Sequence, residues 1–250
     1  MDSTPPWRGR GRYCVVVLHP SGSVESIDIR RIVLVLGVTS TMTIICFGDS
    51  LTAGFQSPTQ EHPRGEETPY GRFLQEWLGP SIEVRVSGIC GELTSEMAMR
   101  FRRDVLEHRP KYVVLLGGTN DLGWNARPHD VMTNLIKMYE LARASGITPV
   151  AVTVPSVRVE IAGAGPDGQA WLEGHLERRR VLNGLIRDYA LSKGVPWVDL
   201  FTATADPDTR QLAAPYSNDG LHLTTAGYRL LARLLYEGVF SASRDERGET

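Results

Sequence analysis

Four short segments of the chain carry groups able to do nucleophilic chemistry, and they come in a telling order. Gly48-Asp49-Ser50-Leu51 offers a hydroxyl, and Gly91 stands in a Gly-rich turn. Gly118-Thr119-Asn120-Asp121 follows an apolar run, and Asp219-Gly220-Leu221-His222 sets a carboxylate three residues before an imidazole. A serine hydroxyl is almost fully protonated at neutral pH and needs an adjacent base. Asp219 can fix the tautomer of His222 through one ring nitrogen and leave the other for Ser50. A backbone N–H at Gly91, the side-chain amide of Asn120 and the N–H of Ser50 can receive the negative charge of a tetrahedral intermediate. Together these are the parts that acyl transfer through a covalent serine intermediate requires.

Each segment also has a plainer reading. Ser50 or Thr52 could cap a short helix, and Asn218-Asp219-Gly220 could form an Asx turn. Gly88 and Gly91 could serve only a turn, and Asn120-Asp121 a loop cap. Ser50 lies outside a Gly-x-Ser-x-Gly elbow. His62, His108, His129 and His175 lack a carboxylate placed as Asp219 is. A P-loop is excluded because no Gly-Lys-Ser/Thr end is present. No dense His/Asp/Glu cluster gathers metal ligands, so neither metal nor cofactor is expected.

The elements that must position these residues follow from the apolar pattern. Strands are predicted at Thr43–Phe47, Ile82–Val86, Tyr112–Leu116, Thr148–Val154 and Trp197–Leu200, rich in Val, Ile and Leu and without polar alternation. Helices are predicted at Tyr70–Leu78, Ser95–His108, His129–Ala144, Gln169–Ser192 and Thr225–Val239. Pro128 suits a first helical turn, and Gly146 and Gly194 suit helix stops. The alternation predicts an α/β fold, a single doubly wound α/β/α domain with helices on both faces of a parallel sheet. Ligands of such sheets bind beyond the carboxyl ends of the strands. Ser50, Gly91, Asn120 and the Asp219–His222 pair all fall there.

The bulk composition sets limits. The chain has 250 residues, a net charge of -2 and 42% hydrophobic residues, enough for a full core. That charge excludes nucleic acid as the main partner. Cys14, Cys46 and Cys90 form no CxxC pair and read as thiols of a reducing compartment, hence a cytoplasmic location. Residues 1–41 form an N-terminal extension whose apolar run, Ile32–Val38, is far too short to span a bilayer. A secretory reading of that segment remains open through Arg30-Arg31 before the run. The core is expected over residues 42–240, opening at Met42, with a polar tail over 241–250.

The four segments resemble the SGNH/GDSL family of esterases and lipases. Gly48-Asp49-Ser50-Leu51-Thr52-Ala53-Gly54 and Gly118-Thr119-Asn120-Asp121 match the family closely. The second block, Val86 to Thr94, departs from it: Ser87 stands where Asn is common, and Glu92 where Asp is common. The resemblance implies a flavodoxin-like three-layer fold on a five-stranded parallel sheet. It also implies Ser50 as nucleophile, Asp219 and His222 as the rest of a triad, and Ser50, Gly91 and Asn120 as the oxyanion hole. A small-molecule ester is then the expected partner, with no stable membrane insertion and an open oligomeric state. Gln56–Thr68 and Ile161–Gly168 form expected rims, both polar or small, which suit short acyl or aryl esters. Trp124 and Trp171 are candidate substrate contacts on an apolar wall. Acyl transfer to a sugar or alcohol, deacetylation of a carbohydrate, and a non-catalytic binding module are the alternatives.

Overall fold

A computed structural model of the chain describes residues 14–18, 24–28, 42–159 and 165–241. The chain divides into two units, Met1–Thr41 and Met42–Thr250. In the first, β1 (Cys14–Leu18) and β2 (Val24–Asp28) pair antiparallel, with Cys14 opposite Asp28. The apolar run at 32–38, residues 161–164 of the expected rim and residues 242–250 of the tail lie outside the described residues.

The second unit opens on β3 (Met42–Gly48), followed by the short helix α1 (Ser50–Ala53). A two-residue pairing of β4 (Phe55–Gln56) with β5 (Glu66–Glu67) then leads to α2 (Tyr70–Leu78). After these come β6 (Ile82–Gly88), α3 (Thr94–Asp104), β7 (Tyr112–Leu116), α4 (Thr119–Gly123) and α5 (Pro128–Ala144). The chain continues through β8 (Thr148–Val152), α6 (Gly165–Lys193), β9 (Trp197–Val198), α7 (Leu200–Thr204) and α8 (Thr225–Leu235). Five parallel strands form one sheet in the order β6-β3-β7-β8-β9. The chain steps from β3 outward to β6 and then returns to build β7, β8 and β9 on the other side. This is the flavodoxin-like order, and its switch point lies between β3 and β7.

Strand periodicity explains the two cores. Along β3, Ile45 and Phe47 point into one layer with Met97, Phe101, Val131, Leu135, Leu182 and Ile186 of α3, α5 and α6. Ile44 and Cys46 point into the other with Tyr70, Leu74, Tyr228 and Leu231 of α2 and α8. Both faces of the sheet are therefore covered, as all-parallel sheets require. The element ends differ from the sequence pattern in small ways. The fourth and fifth strands stop at Val152 and Val198, and α6 starts earlier, at Gly165. The helix predicted to His108 breaks at Asp104 and resumes as a 3-10 turn at Leu106–His108. The last helix passes at Tyr236–Phe240 into a π-helical turn. β6 is an edge strand, so several of its residues face outward instead of being buried on both sides.

A buried arginine ties the sheet end to its surroundings. Arg100 on α3 is 7% exposed. Its Nη2 donates to the Gly48 carbonyl at 2.9 Å and to the Glu92 carboxylate at 2.6 Å. Its Nε also meets Glu92, while Nη1 reaches Ser87 Oγ at 2.7 Å and Asp104 at 2.8 Å. The guanidinium lies 4.1 Å from the centroid of the Phe47 ring. Ser87 and Glu92, the two departures from the family pattern, are thus both ligands of this one cation.

Asp49 supplies the N-cap of α1, where Ser50 or Thr52 was the alternative. Its Oδ1 accepts the Leu51 N–H at 2.9 Å, and its carbonyl accepts the N–H groups of Thr52 and Ala53. The side chain is fully buried and Oδ2 has no hydrogen-bond partner. Burial pushes this carboxyl up to about 7, against the opposing pull of the Leu51 N–H.

Replacing Arg100 by Met is expected to cost on the order of 3–5 kcal/mol, because Glu92 keeps a buried charge without its partner. Arg100→Met/Glu92→Gln should recover part of that loss in urea unfolding; equal stabilities of the two variants would reject the account. At Asp49 the folded chain holds its proton more tightly than the unfolded chain, whose aspartate titrates near pH ~4. Its contribution is therefore intact in acid and declines as pH rises toward about 7. Asp49→Asn should gain in melting temperature relative to the parent as pH rises through that window. An unchanged difference between the two melting curves would sink the reading.

Candidate active site

The end of β3 and the end of β7 deliver Ser50 and Asn120 to the switch point from neighbouring strands. Ser50 opens α1, so its N–H belongs to the first helical turn, where no intrahelical acceptor exists. Among the described residues this N–H takes no other acceptor, and Ser50 Oγ makes no hydrogen bond. Gly91 sits at φ +78° in the turn after β6, a conformation that an L side chain adopts only with strain. A Cβ there would meet nothing within 4 Å, so the backbone angle and not crowding selects glycine. Asn120 Nδ2 donates to the Glu92 carbonyl at 2.9 Å, which orients the amide toward the Gly91 turn and leaves its second N–H free. Asp121 braces the same turn by accepting from Thr94 N at 3.0 Å and Thr94 Oγ1 at 2.6 Å.

The carboxylate and imidazole are joined directly. Asp219 Oδ2 lies 2.7 Å from His222 Nδ1. Asp219 Oδ1 accepts the N–H groups of Leu221 and His222, each at 2.8 Å, and Ser217 Oγ at 3.2 Å. Burial opposes ionisation of Asp219, but hydrogen bonds from His222, Ser57 and the two backbone N–H groups outweigh it. They hold the carboxyl below the usual carboxylate range. An ionised Asp219 accepts only, so the Nδ1–H donates to it and Nε2 is the nitrogen turned to other partners. Gly220 makes this tight loop possible. It adopts φ +81°, and a Cβ there would lie 2.0 Å from the Arg158 carbonyl oxygen. Arg158 closes the loop from the β8 side, with its N–H on Gly220 O at 2.8 Å and Nη2 on Ser217 O at 2.9 Å.

No hydrogen bond joins Ser50 to His222. His222 acts electrostatically on Asp49, next to Ser50. The segment just after α1 ties the two halves together. The Phe55 ring meets the His222 ring edge-on at 4.7 Å, and the Phe55 carbonyl accepts Tyr228 Oη at 2.6 Å. Gln56 donates to Thr225 Oγ1 at 2.9 Å, and Ser57 Oγ donates to Asp219 Oδ2 at 2.5 Å. A serine–histidine contact that is open before substrate arrives is common in hydrolytic sites, since it tightens as the complex forms. These are the kinds of group that acyl transfer through a serine requires: a hydroxyl, an imidazole anchored on a carboxylate, and N–H donors for an oxyanion.

The expected rim over 56–68 encloses a cavity of about 370 Å³ lined by Gln56, Ser57, Glu61, His62, Glu66 and Asn218, among others. Trp124, at the end of α4, is 81% exposed. Trp171 stacks on His175 with centroids 4.9 Å apart, and burial drives that imidazole down to about 4. Among the described residues no group of three His, Cys, Asp or Glu side chains could hold a metal ion. Sequence reasoning missed Asp49, Ser57, Arg100 and the buried Arg179. Arg179 donates to the Pro155 carbonyl at 2.6 Å and acts electrostatically on Asp49. An arginine at a core-facing position of α6 was a readable signal for the last of these.

The chain is similar to several known proteins. The lipoprotein YqeF of Bacillus subtilis, which is uncharacterised, is 25% identical over 224 residues, covering 78% of this chain and 87% of its own. A GDSL-like lipase from Bacteroides thetaiotaomicron superposes with a TM-score of 0.63 at 21% identity, covering 86% of this chain and 98% of the other. The aryl esterase of M. smegmatis gives 0.64 at 23% identity, over 80% and 99%. Est24, a carbohydrate acetylesterase of Sinorhizobium meliloti, gives 0.63 at 19% identity, also over 80% and 99%. At these identities the structural likenesses carry the fold alone. The model of the GDSL-like lipase/acylhydrolase family matches residues 46–230, which contain all five candidate site residues, and the chain belongs to that family of hydrolases.

Proposed function

We propose that the protein is a serine esterase that hydrolyses carboxylic esters of short acyl or aryl type, with its chemistry carried by residues 42–240. The observation that carries the reading is the 2.7 Å pairing of Asp219 with His222, an imidazole that acts electrostatically on Asp49 next to Ser50. His222 Nε2 takes the Ser50 proton as Oγ attacks the ester carbonyl. The N–H groups of Ser50, Gly91 and Asn120 stabilise the tetrahedral oxyanion. Collapse expels the alcohol, which takes its proton from His222, and leaves an acyl-serine. Water, activated by the same imidazole, then releases the acid.

The polar lining of the 370 Å³ cavity beside the crevice supports a small, hydrophilic ester over a long lipid. Exposed Trp124 offers aromatic surface at the far end of the helix that carries Asn120, and Trp171 a second such surface on α6. The names of the aryl esterase and carbohydrate acetylesterase neighbours agree with this substrate range. The same polar cavity favours a second reading, transfer of the acyl group to a sugar or alcohol in place of water. Cys46 and Cys90 are free thiols, which supports a reducing, cytoplasmic compartment, and no helix among the described residues is long and apolar enough to cross a membrane.

Hydrolysis of p-nitrophenyl esters from acetyl to long-chain acyl tests the reading. Turnover should be highest for short chains and vanish in Ser50→Ala with the melting temperature retained; a folded Ser50→Ala that still turns over would remove Ser50 as nucleophile. Asn120→Ala should lower kcat by about 10²–10³ with KM little changed, the scale of one lost oxyanion donor. A matching loss in KM would move Asn120 to substrate positioning.

A further inference from the structure

We infer that Ser57 is a positioning residue of the hydrolytic machinery, a hydroxyl that fixes the catalytic carboxylate through the same oxygen that meets the imidazole. The inference rests on the proposed roles of Asp219 and His222. The two oxygens of Asp219 are served differently. Oδ1 takes every bond from within its own loop: the N–H groups of Leu221 and His222 and the hydroxyl of Ser217. Oδ2, the oxygen that meets the imidazole, has one further partner among the described residues. That partner is Ser57 Oγ, at 2.5 Å and 162 residues away in sequence.

A carboxylate held only through Oδ1 can still swing its second oxygen out of line with the imidazole. The Ser57 bond removes that freedom, and its short length fits a charge-assisted contact. Ser57 is itself well placed to hold position. Gln56, the preceding residue, accepts the Thr225 N–H at 3.1 Å on its Oε1 and donates to Thr68 and Thr225 hydroxyls through Nε2. Gly54, three residues earlier, donates to the Ser50 carbonyl at 3.0 Å and accepts the Thr68 N–H at 2.8 Å. The path from the nucleophile's helix to the orienting carboxylate therefore runs through eight consecutive residues, Ser50 to Ser57, as one continuous brace. Ser57 also lines the polar cavity at the rim, so its side chain can be shortened without opening the core.

The test compares the parent with Ser57→Ala and Ser57→Thr using p-nitrophenyl acetate and proton NMR. Ser57→Ala should lower kcat roughly ten-fold, the scale of a lost hydrogen bond to a charged group, while KM stays within about two-fold. Ser57→Thr, which keeps the hydroxyl, should restore kcat. The low-field resonance of the imidazole N–H bound to Asp219 should shift in Ser57→Ala and return in Ser57→Thr. Parent-like kcat together with an unmoved resonance in Ser57→Ala would overturn the inference. If the parent hydrolyses no ester, the esterase reading falls, and the resonance alone decides for or against Ser57.

Discussion

The site depends on a cation that has no part in the chemistry. Arg100 enters a region where three groups need an anchor: the last carbonyl of β3, the end of β6 and the turn that bears Gly91. Its planar fork of N–H donors meets Gly48 O, Ser87 and Glu92, and Asp104 lies one helical turn along α3. Burying a guanidinium is unfavourable unless charge and hydrogen bonds compensate it. Here two carboxylates, a carbonyl and the face of Phe47 do so. The compensation has a geometric by-product. Glu92 is held by its side chain, so its carbonyl is fixed to receive the Asn120 amide. The turn after β6 and Asn120 after β7, the proposed oxyanion donors, are thereby registered against each other by one ion pair.

Two aspartates flank the crevice with opposite electrostatics. Asp219 sits among donors and stays ionised, while Asp49 is enclosed with one oxygen unpartnered and tends to keep its proton. The difference lies in depth and in hydrogen-bond supply together: Asp49 is fully buried, while Asp219 is part-exposed and rich in donors. Asp49, the residue before Ser50, keeps its proton to a higher pH than an exposed aspartate would, which limits negative charge beside that hydroxyl. Environments that drive two like groups apart in pKa are a recurrent way to give them separate tasks.

Much of this was legible in the sequence. Runs such as Tyr112–Leu116 are apolar throughout because the strand is covered on both faces, and the three-residue step from Asp219 to His222 is a local turn. The order of the blocks along the chain implied their convergence, since the carboxyl ends of parallel strands share an edge. What the sequence hid is long-range. Nothing near Ser57 announces a partner 162 residues away, and Arg100 lies in a helix that reads as an ordinary charged surface. Ser87 and Glu92 looked like local departures because their common partner is eight or more residues distant. Short elements such as α1 and α4 escaped the periodic pattern because four or five residues complete barely one turn.

The order of the strands also bears on how the molecule behaves at high concentration. The sheet ends on β6 at one side and on β9 at the other. An exposed strand edge is a template for another chain's backbone, and proteins blunt such edges by shortness and charge. β9 is only two residues long. β6 carries Glu83 and Arg85 side by side, paired with each other at 2.8 Å. A foreign strand adding to β9 would gain too few ladder bonds to hold, and one adding to β6 would have to accommodate or break an ion pair. The same sheet that brings the reacting groups together is thus protected at its margins against growing into a fibre.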